Sequence, residues 1–151
     1  DASIRNVNVH PTDVACIIIE PARGNAIGKE VLNQLRKYCD MHNIVLIFDE
    51  ITSGFRSCVG AMHRLGETKP DMAVLAKGMA NGYPLAAILG IGSIMDGAQN
   101  TFISSTNWTE ATGLAAALAT IYKYQEMDAA KRINLMGSVL KSIWKKLVSI
   151  V

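Results

Sequence analysis

The sequence lacks long hydrophobic runs, pairs of cysteines and a strong net charge, and each shortage excludes a class of protein. A membrane-spanning helix needs about 20 consecutive apolar residues, and the longest apolar runs here are only as long as a strand. The 15 lysines and arginines exceed the 13 acidic residues by two, and no dense basic run precedes the last predicted helix. Neither a membrane protein nor a nucleic-acid-binding protein is therefore predicted.

Cysteine is scarce as well. The chain has three cysteines, at positions 16, 39 and 58, with no C-x-x-C spacing. An odd number of isolated thiols is typical of a reducing compartment, so we expect a cytoplasmic protein. Cys39 and His42 have a spacing seen in zinc sites, but both fall on one predicted helix and no second pair follows, so no metal site is expected.

Apolar residues are abundant and follow regular patterns. They make up 50% of the chain against 19% charged residues, which is typical of a folded domain with one core. The almost continuous apolar run at 14–20 suits a strand covered on both faces. The strand–helix–strand order at the start favours a mostly parallel α/β sheet. The predicted strands are 14–20, 44–48, 71–76, 85–90 and 101–104, and the predicted helices are 28–42, 109–127 and 128–148.

The last predicted helix has apolar residues at alternating spacings of four and three. The seam covers fewer than three heptads, so we expect it to be ordinary core rather than a coiled coil. The chain starts without Met, and its helical pattern runs to the last residues. We therefore expect residues 1–151 to be one partial domain of a longer protein.

Opposite charges follow two predicted buried strands. The run at 44–48 leads into Asp49 and Glu50, and the run at 71–76 leads into Lys77. Ligands bind at the carboxyl ends of strands in open α/β sheets, so these charges mark a candidate site. A P-loop nucleotidase using Asp49 and Glu50 for magnesium would also need G-x-x-x-x-G-K-[ST], which is missing.

A lysine opposite an acid also suits pyridoxal 5'-phosphate (PLP). This cofactor needs a lysine for a Schiff base and an acid that keeps its pyridine nitrogen protonated. Either interpretation uses Asp49, but only the PLP interpretation explains Lys77 without a phosphate-binding loop.

Four ordered motifs lie between residues 19 and 106. Residues 47–56, IFDEITSGFR, and residues 69–78, KPDMAVLAKG, resemble the D-E-V-x-T-G-F-R segment and the P-D-x-x-x-x-x-K-G lysine segment of one family, the class III aminotransferases of fold type I, in particular the branch containing glutamate-1-semialdehyde aminomutase. Residues 82–87, GYPLAA, continue that lysine segment. Residues 19–25, IEPARGN, resemble its E-P-x-x-G element, and residues 104–106, SST, resemble its phosphate-contacting threonine. Positions 49 and 77 are separated by 77 − 49 = 28 residues, as in the family.

The resemblance implies a role for each matching residue. Lys77 is the catalytic residue, which forms the Schiff base and then moves a proton between substrate and cofactor. Asp49 pairs with the pyridine nitrogen, and Ile51 packs on one face of the ring. Thr106 contacts the cofactor phosphate, in the family usually that of the partner subunit.

The resemblance also implies a fold and an activity. The fold is a three-layer α/β unit with a mostly parallel sheet, the later half of the large PLP-binding domain, in which the strand at 85–90 runs antiparallel. The activity is amino-group transfer or aminomutase chemistry by a homodimer with shared active sites, between a small-molecule amino donor and a keto or aldehyde acceptor. The 151-residue chain by itself is expected to be inactive, because the main phosphate turn and the substrate-carboxylate site are not among its motifs. A non-catalytic binding or assembly module is the alternative.

Overall fold

A computed structural model of the chain describes residues 9–23, 25–108 and 110–149. Gly24 of the 19–25 motif and Thr109, where a helix was predicted to begin, lie outside the described residues. The strands are β1 (Cys16–Ile19), β2 (Ala22–Arg23), β3 (Asn25–Ala26), β4 (Val45–Asp49), β5 (Met72–Leu75) and β6 (Ala87–Gly90). The helices are α1 (Lys29–His42), α2 (Gly92–Ala98), α3 (Ala111–Glu126) and α4 (Ala129–Val148), with short 3-10 turns at Pro11–Asp13, Met62–Leu65 and Lys77–Met79.

The main sheet has four strands in the order β1-β4-β5-β6. The first three are parallel, and β6 runs antiparallel to β5, with Val74 opposite Ile88. This confirms the predicted mostly parallel sheet with one antiparallel strand. The β2 and β3 strands form a separate two-residue antiparallel pair, which the sequence patterns did not indicate.

The helix α1 packs on β1 and β4 because its apolar residues repeat at helical spacing. Leu32, Leu35 and Cys39 face a cluster that contains Leu46 and Phe48 of β4. The helix ends where Asn43 adopts the left-handed conformation, with φ of 56°. This unit positions β4, which carries the candidate acid at its carboxyl end.

Asp71 attaches the start of β5 to β4. One of its carboxylate oxygens accepts hydrogen bonds from the Leu46 N–H at 2.7 Å and from the Arg36 guanidinium at 2.9 Å. Its own N–H donates to the Leu46 carbonyl at 2.8 Å. These contacts hold β5 in register beside β4, and the register determines which residues meet at the carboxyl ends of the two strands.

A second core lies beyond the carboxyl end of β5. Phe55 and Leu75 pack there with Ala80 and with Ala117 and Tyr124 of α3. The alanines of α3 allow the helix to approach closely, as its composition indicates. The Phe55 and Tyr124 rings meet edge to face, with centroids 6.1 Å apart. The second core supports the segments that follow β4 and β5.

The structure corrects four predictions. Residues 101–104 form no strand, and residues 92–98 form the unpredicted helix α2. The strand predicted at 14–20 is shorter, and it lies at an edge of the sheet, so the side chain of Ile18 is 61% exposed rather than covered. The apolar seam of α4 is also largely exposed, because only its first turn, at Ala129 and Ala130, packs against the second core. Among the described helices, none has the length and apolar character needed to cross a membrane.

Candidate active site

The candidate acid and the candidate lysine lie at one edge of the sheet. Asp49 is the last residue of β4 and is paired with Val74 of β5, and Lys77 is the second residue after β5. The two strands are parallel neighbours, so both residues are at carboxyl ends. The structure therefore places Asp49 and Lys77 on adjacent strand ends, as the sequence predicted.

The Asp49 carboxylate is half-buried and only partly engaged. Its Oδ1 atom accepts a hydrogen bond from the Ile51 N–H at 3.0 Å. This contact turns the chain directly after β4 and fixes the direction of the carboxylate. The side chain of Ile51 is half-buried beside it. No ion pair to Asp49 is present among the described residues.

The Lys77 side chain is exposed, and its amine has one hydrogen-bond acceptor. Nζ donates to Oγ1 of Thr52 at 2.9 Å. Thr52 belongs to the segment after β4, so the hydrogen bond joins the two strand ends directly. Sequence reasoning missed Thr52, because it occupies the variable position of the D-E-V-x-T-G-F-R motif and carries no signal of its own.

Glu50, which follows Asp49 in the chain, is a buried residue with a structural role. Its carboxylate is completely inaccessible to solvent. It accepts hydrogen bonds from the N–H groups of Met62 and His63, and the His63 Nδ1 atom lies 2.5 Å from Oε1. Glu50 therefore ties residues 62–65 to the end of β4 and closes the loop that carries Thr52.

Replacing Glu50 by glutamine is expected to lower the free energy of unfolding by about 3–5 kcal/mol. The glutamine amide cannot accept all three hydrogen bonds, and each buried polar group left without a partner lowers the stability of the folded state. Urea denaturation of the variant measures the change. Glu126→Gln removes a carboxylate from an exposed pair with Lys123 and is the matched control, with an expected change below about 1 kcal/mol. A change as small as the control's at Glu50 would contradict this structural role.

Neighbouring groups are also structural. The Arg56 Nε–H donates to the Thr52 carbonyl at 3.3 Å, and the Tyr124 hydroxyl donates to the Arg56 carbonyl at 2.9 Å. Burial raises the pKa of the Tyr124 hydroxyl, which favours its neutral, donating form. Burial likewise raises the pKa of the Cys58 thiol, so that at neutral pH it stays protonated. These contacts brace the loop after β4.

Thr106 is not brought to the other candidate residues. It lies on an exposed turn before α3, and no hydrogen bond joins it to Asp49, Ile51 or Lys77 among the described residues. Tyr83 and Trp108 are exposed as well. A phosphate contact by Thr106 therefore remains a prediction, as does its predicted placement in the partner's site.

A cavity of about 430 Å³ lies next to the lysine turn and not around the amine. Its lining includes Phe55, Arg56, Gly78 and Tyr124, and neither Lys77 nor Asp49 contributes. In the described part of the chain, no group of three or more His, Cys, Asp or Glu residues could hold a metal ion.

These two groups fit PLP. An exposed primary amine can bond covalently to the cofactor's aldehyde, and a carboxylate without a cationic partner can pair with a protonated ring nitrogen. Their position at the carboxyl ends of adjacent parallel strands is where α/β sheets bind ligands. The donor set therefore agrees with the cofactor that the motifs implied.

Comparison with known proteins gives consistent matches. The sequence model of the family "Aminotransferase class-III" matches residues 2–149. The chain is 34% identical over 139 residues to 5-aminovalerate aminotransferase DavT of Pseudomonas putida, covering 88% of this chain and 32% of the relative. It is 33% identical over 143 residues to glutamate-1-semialdehyde 2,1-aminomutase of Chlorobium limicola, covering 90% of this chain and 33% of the relative.

A solved structure agrees with these relatives. The taurine:2-oxoglutarate aminotransferase of Bifidobacterium kashiwanohense, in complex with PLP and glutamate, superimposes with a TM-score of 0.80 at 28% identity. The match covers 92% of this chain and 33% of that structure. The chain spans about a third of the length of the curated relatives it matches. The sequence matches and the fold agree, and the chain belongs to the class-III aminotransferase family.

Proposed function

We propose that the whole protein to which this chain belongs is a PLP-dependent enzyme that moves an amino group. It acts either between a small-molecule amino donor and a keto or aldehyde acceptor, or within one molecule as an aminomutase. The observation that carries the proposal is the placement of Lys77 and Asp49 on adjacent parallel strand ends in a class-III aminotransferase chain. A P-loop nucleotidase would use its lysine within a G-x-x-x-x-G-K-[ST] loop, and Lys77 does not stand in that motif.

Asp49, Ile51 and Lys77 would hold the cofactor. PLP, when bound, supplies an electron-withdrawing ring that stabilises negative charge on the substrate carbon. Asp49 holds the proton on the ring nitrogen, which keeps the ring electron-withdrawing. Ile51 is half-buried beside Asp49 and offers an apolar surface to one ring face. The hydrogen bond from the Ile51 N–H to Asp49 Oδ1 at 3.0 Å fixes the direction of the carboxylate.

Lys77 would act twice. Its Nζ would hold the cofactor covalently in the resting protein and would be a free amine during the reaction. The free amine then accepts a proton from the substrate carbon and returns it to a different carbon. Its exposed position beyond β5 and its flexible four-carbon side chain suit a group that must reach both atoms.

The rest of the assembly is part of the same proposal. Residues 1–151 would form the later half of the large PLP-binding domain, and Thr106 would contact phosphate in the partner subunit of a homodimer. The 151-residue chain by itself would be inactive, because the residues that the structure describes offer only the Lys77 amine, the Asp49 carboxylate for the ring nitrogen and one phosphate contact. Three free cysteines support a cytoplasmic location.

An assay of nitrogen transfer tests the proposal. The whole protein with PLP should transfer label from ¹⁵N-labelled 5-aminovalerate or 4-aminobutyrate to 2-oxoglutarate. These three compounds appear in the names of similar enzymes. Glutamate-1-semialdehyde tests the aminomutase reaction, in which the label stays in the product. A protein that binds PLP but moves nitrogen in none of these reactions would favour the non-catalytic binding module instead.

A further inference from the structure

The backbone of Lys77 has an unusual conformation directly after β5. Lys77 has a φ of 47°, in the left-handed region that non-glycine residues seldom occupy. This conformation turns the chain sharply after β5, into the 3-10 turn Lys77–Met79. Unusual backbone conformations of this kind persist where surrounding contacts maintain them, and they concentrate at functional sites.

Two glycines allow the loop of β4 to approach the lysine turn. A Cβ atom on Gly54 would lie 2.7 Å from Leu75 Cδ2 and 2.8 Å from the Glu50 carbonyl. A Cβ atom on Gly78 would lie 3.1 Å from Phe55 Cβ. The two segments therefore pack at a distance that side chains at these positions would prevent, and this close packing places Thr52 within reach of Lys77.

The Thr52 hydroxyl is the acceptor for the Lys77 amine. Oγ1 lies 2.9 Å from Nζ, which is a normal hydrogen-bond distance. Thr52 is half-buried, and its own carbonyl accepts a hydrogen bond from Arg56 at 3.3 Å, so its backbone is fixed from the other side. The next residue, Ser53, also carries a buried hydroxyl, but that hydroxyl has no partner among the described residues.

We propose that Thr52 is a positioning residue that holds the Lys77 amine in place for the cofactor's aldehyde. The inference rests on the proposed function. In the covalent step, the Nζ lone pair forms a bond to the aldehyde carbon, Nζ loses two protons, and the carbonyl oxygen leaves as water, so no oxidant or reductant is required. A long lysine side chain has many rotamers, and an acceptor that selects one of them raises the fraction of encounters that lead to attachment.

The kinetics of cofactor loading test this role. The whole protein, freed of cofactor, is mixed with PLP, and covalent attachment is followed by absorbance over a range of PLP concentrations. In Thr52→Val, the rate constant at saturating PLP should fall about 2- to 10-fold, as expected for one lost hydrogen bond. The PLP concentration that gives half the maximal rate should stay unchanged, because initial binding does not use the Nζ contact.

Two control variants distinguish the loss of the Thr52 hydroxyl from a general disturbance of the loop after β4. Thr52→Ser keeps the hydroxyl and should restore most of the rate, and Ser53→Ala removes the neighbouring unpartnered hydroxyl and should leave the rate unchanged. If Thr52→Val does not fold, Thr52→Ala removes the same acceptor and should show the same slowing. Equal rates in the unaltered protein and in the variants without the Thr52 hydroxyl would overturn the positioning role alone. No covalent attachment in the unaltered protein would overturn the proposed function and this inference with it.

Discussion

Replacing Lys77 by alanine should reduce amino transfer by the whole protein by about 10⁴-fold or more. Loss of a positioned acid or base costs about 10²–10⁴-fold, and Lys77→Ala also removes the group that binds the cofactor covalently. Among the described residues, no other lysine lies at the carboxyl ends of β4 and β5 to replace it. Single-turnover kinetics with the ¹⁵N-labelled donor measure the loss.

The control for this variant is Lys37→Ala. Lys37 is an exposed residue of α1, far along the chain from the strand ends, and its removal should leave kcat/KM unchanged. A small primary amine added in solution should restore part of the proton transfer in Lys77→Ala, because it can occupy the space of the missing amine. Turnover within tenfold of the unaltered protein would exclude Lys77 as the proton carrier.

Replacing Asp49 by asparagine should lower kcat by about 10²–10³-fold, the usual loss when one prearranged charge is removed from a reacting system. Asparagine keeps the shape and can still accept the hydrogen bond from the Ile51 N–H, so the fold should persist. It has no charge with which to hold a proton on the ring nitrogen. The chemical step should therefore slow far more than KM rises.

Asp40→Asn is the matched control for Asp49→Asn. Asp40 lies on α1 with a largely exposed carboxylate paired to Arg36 at 2.8 Å, so its neutralisation should leave kcat unchanged. A kcat within a few-fold of the unaltered protein in Asp49→Asn would show that Asp49 is not the partner of the ring nitrogen.

Much of the fold could be predicted because periodicity and strand length are local signals. The apolar runs that became β4 and β5 and the helical spacing of α1 are read directly from the residues. The antiparallel β6 could be expected from the resemblance and the short turn before it. Asp49 and Lys77 could be placed together because both directly follow parallel strands.

Other features depend on contacts that are distant in sequence. Residues 101–104 contain Phe102 and Ile103, which favour a strand, but no strand of the described sheet pairs with them, and the segment is exposed. The helix α2, in contrast, has two glycines among its seven residues, which weakens its helix propensity, although Ile91, Ile94, Met95 and Ala98 follow the helical spacing. The N–H groups of Ile94 and Met95 bond to the Ile91 carbonyl, and Met95 packs against Gly90. These contacts of α2 span at most five residues, and the helix was missed although its signal is local.

The candidate site was only half predictable, because its supporting contacts are distant in sequence. The burial of Glu50 follows from the return of residues 62–65 to the end of β4, which no local pattern indicates. The approach of Thr52 to Lys77 follows from the packing of Gly54 and Gly78 between two loops. Chemistry-bearing residues can be recognised from their motif, whereas the residues that hold them in place require the three-dimensional structure.

The most direct test of the central claim is to identify the lysine that binds the cofactor. The whole protein is loaded with PLP, treated with borohydride to fix any cofactor attached through its aldehyde, digested, and mapped by mass spectrometry. The expected result is one modified peptide with the adduct on Lys77, and the same adduct in Lys37→Ala. An adduct on a different lysine, or no adduct at saturating PLP, would contradict the assignment of Lys77 and the function built on it.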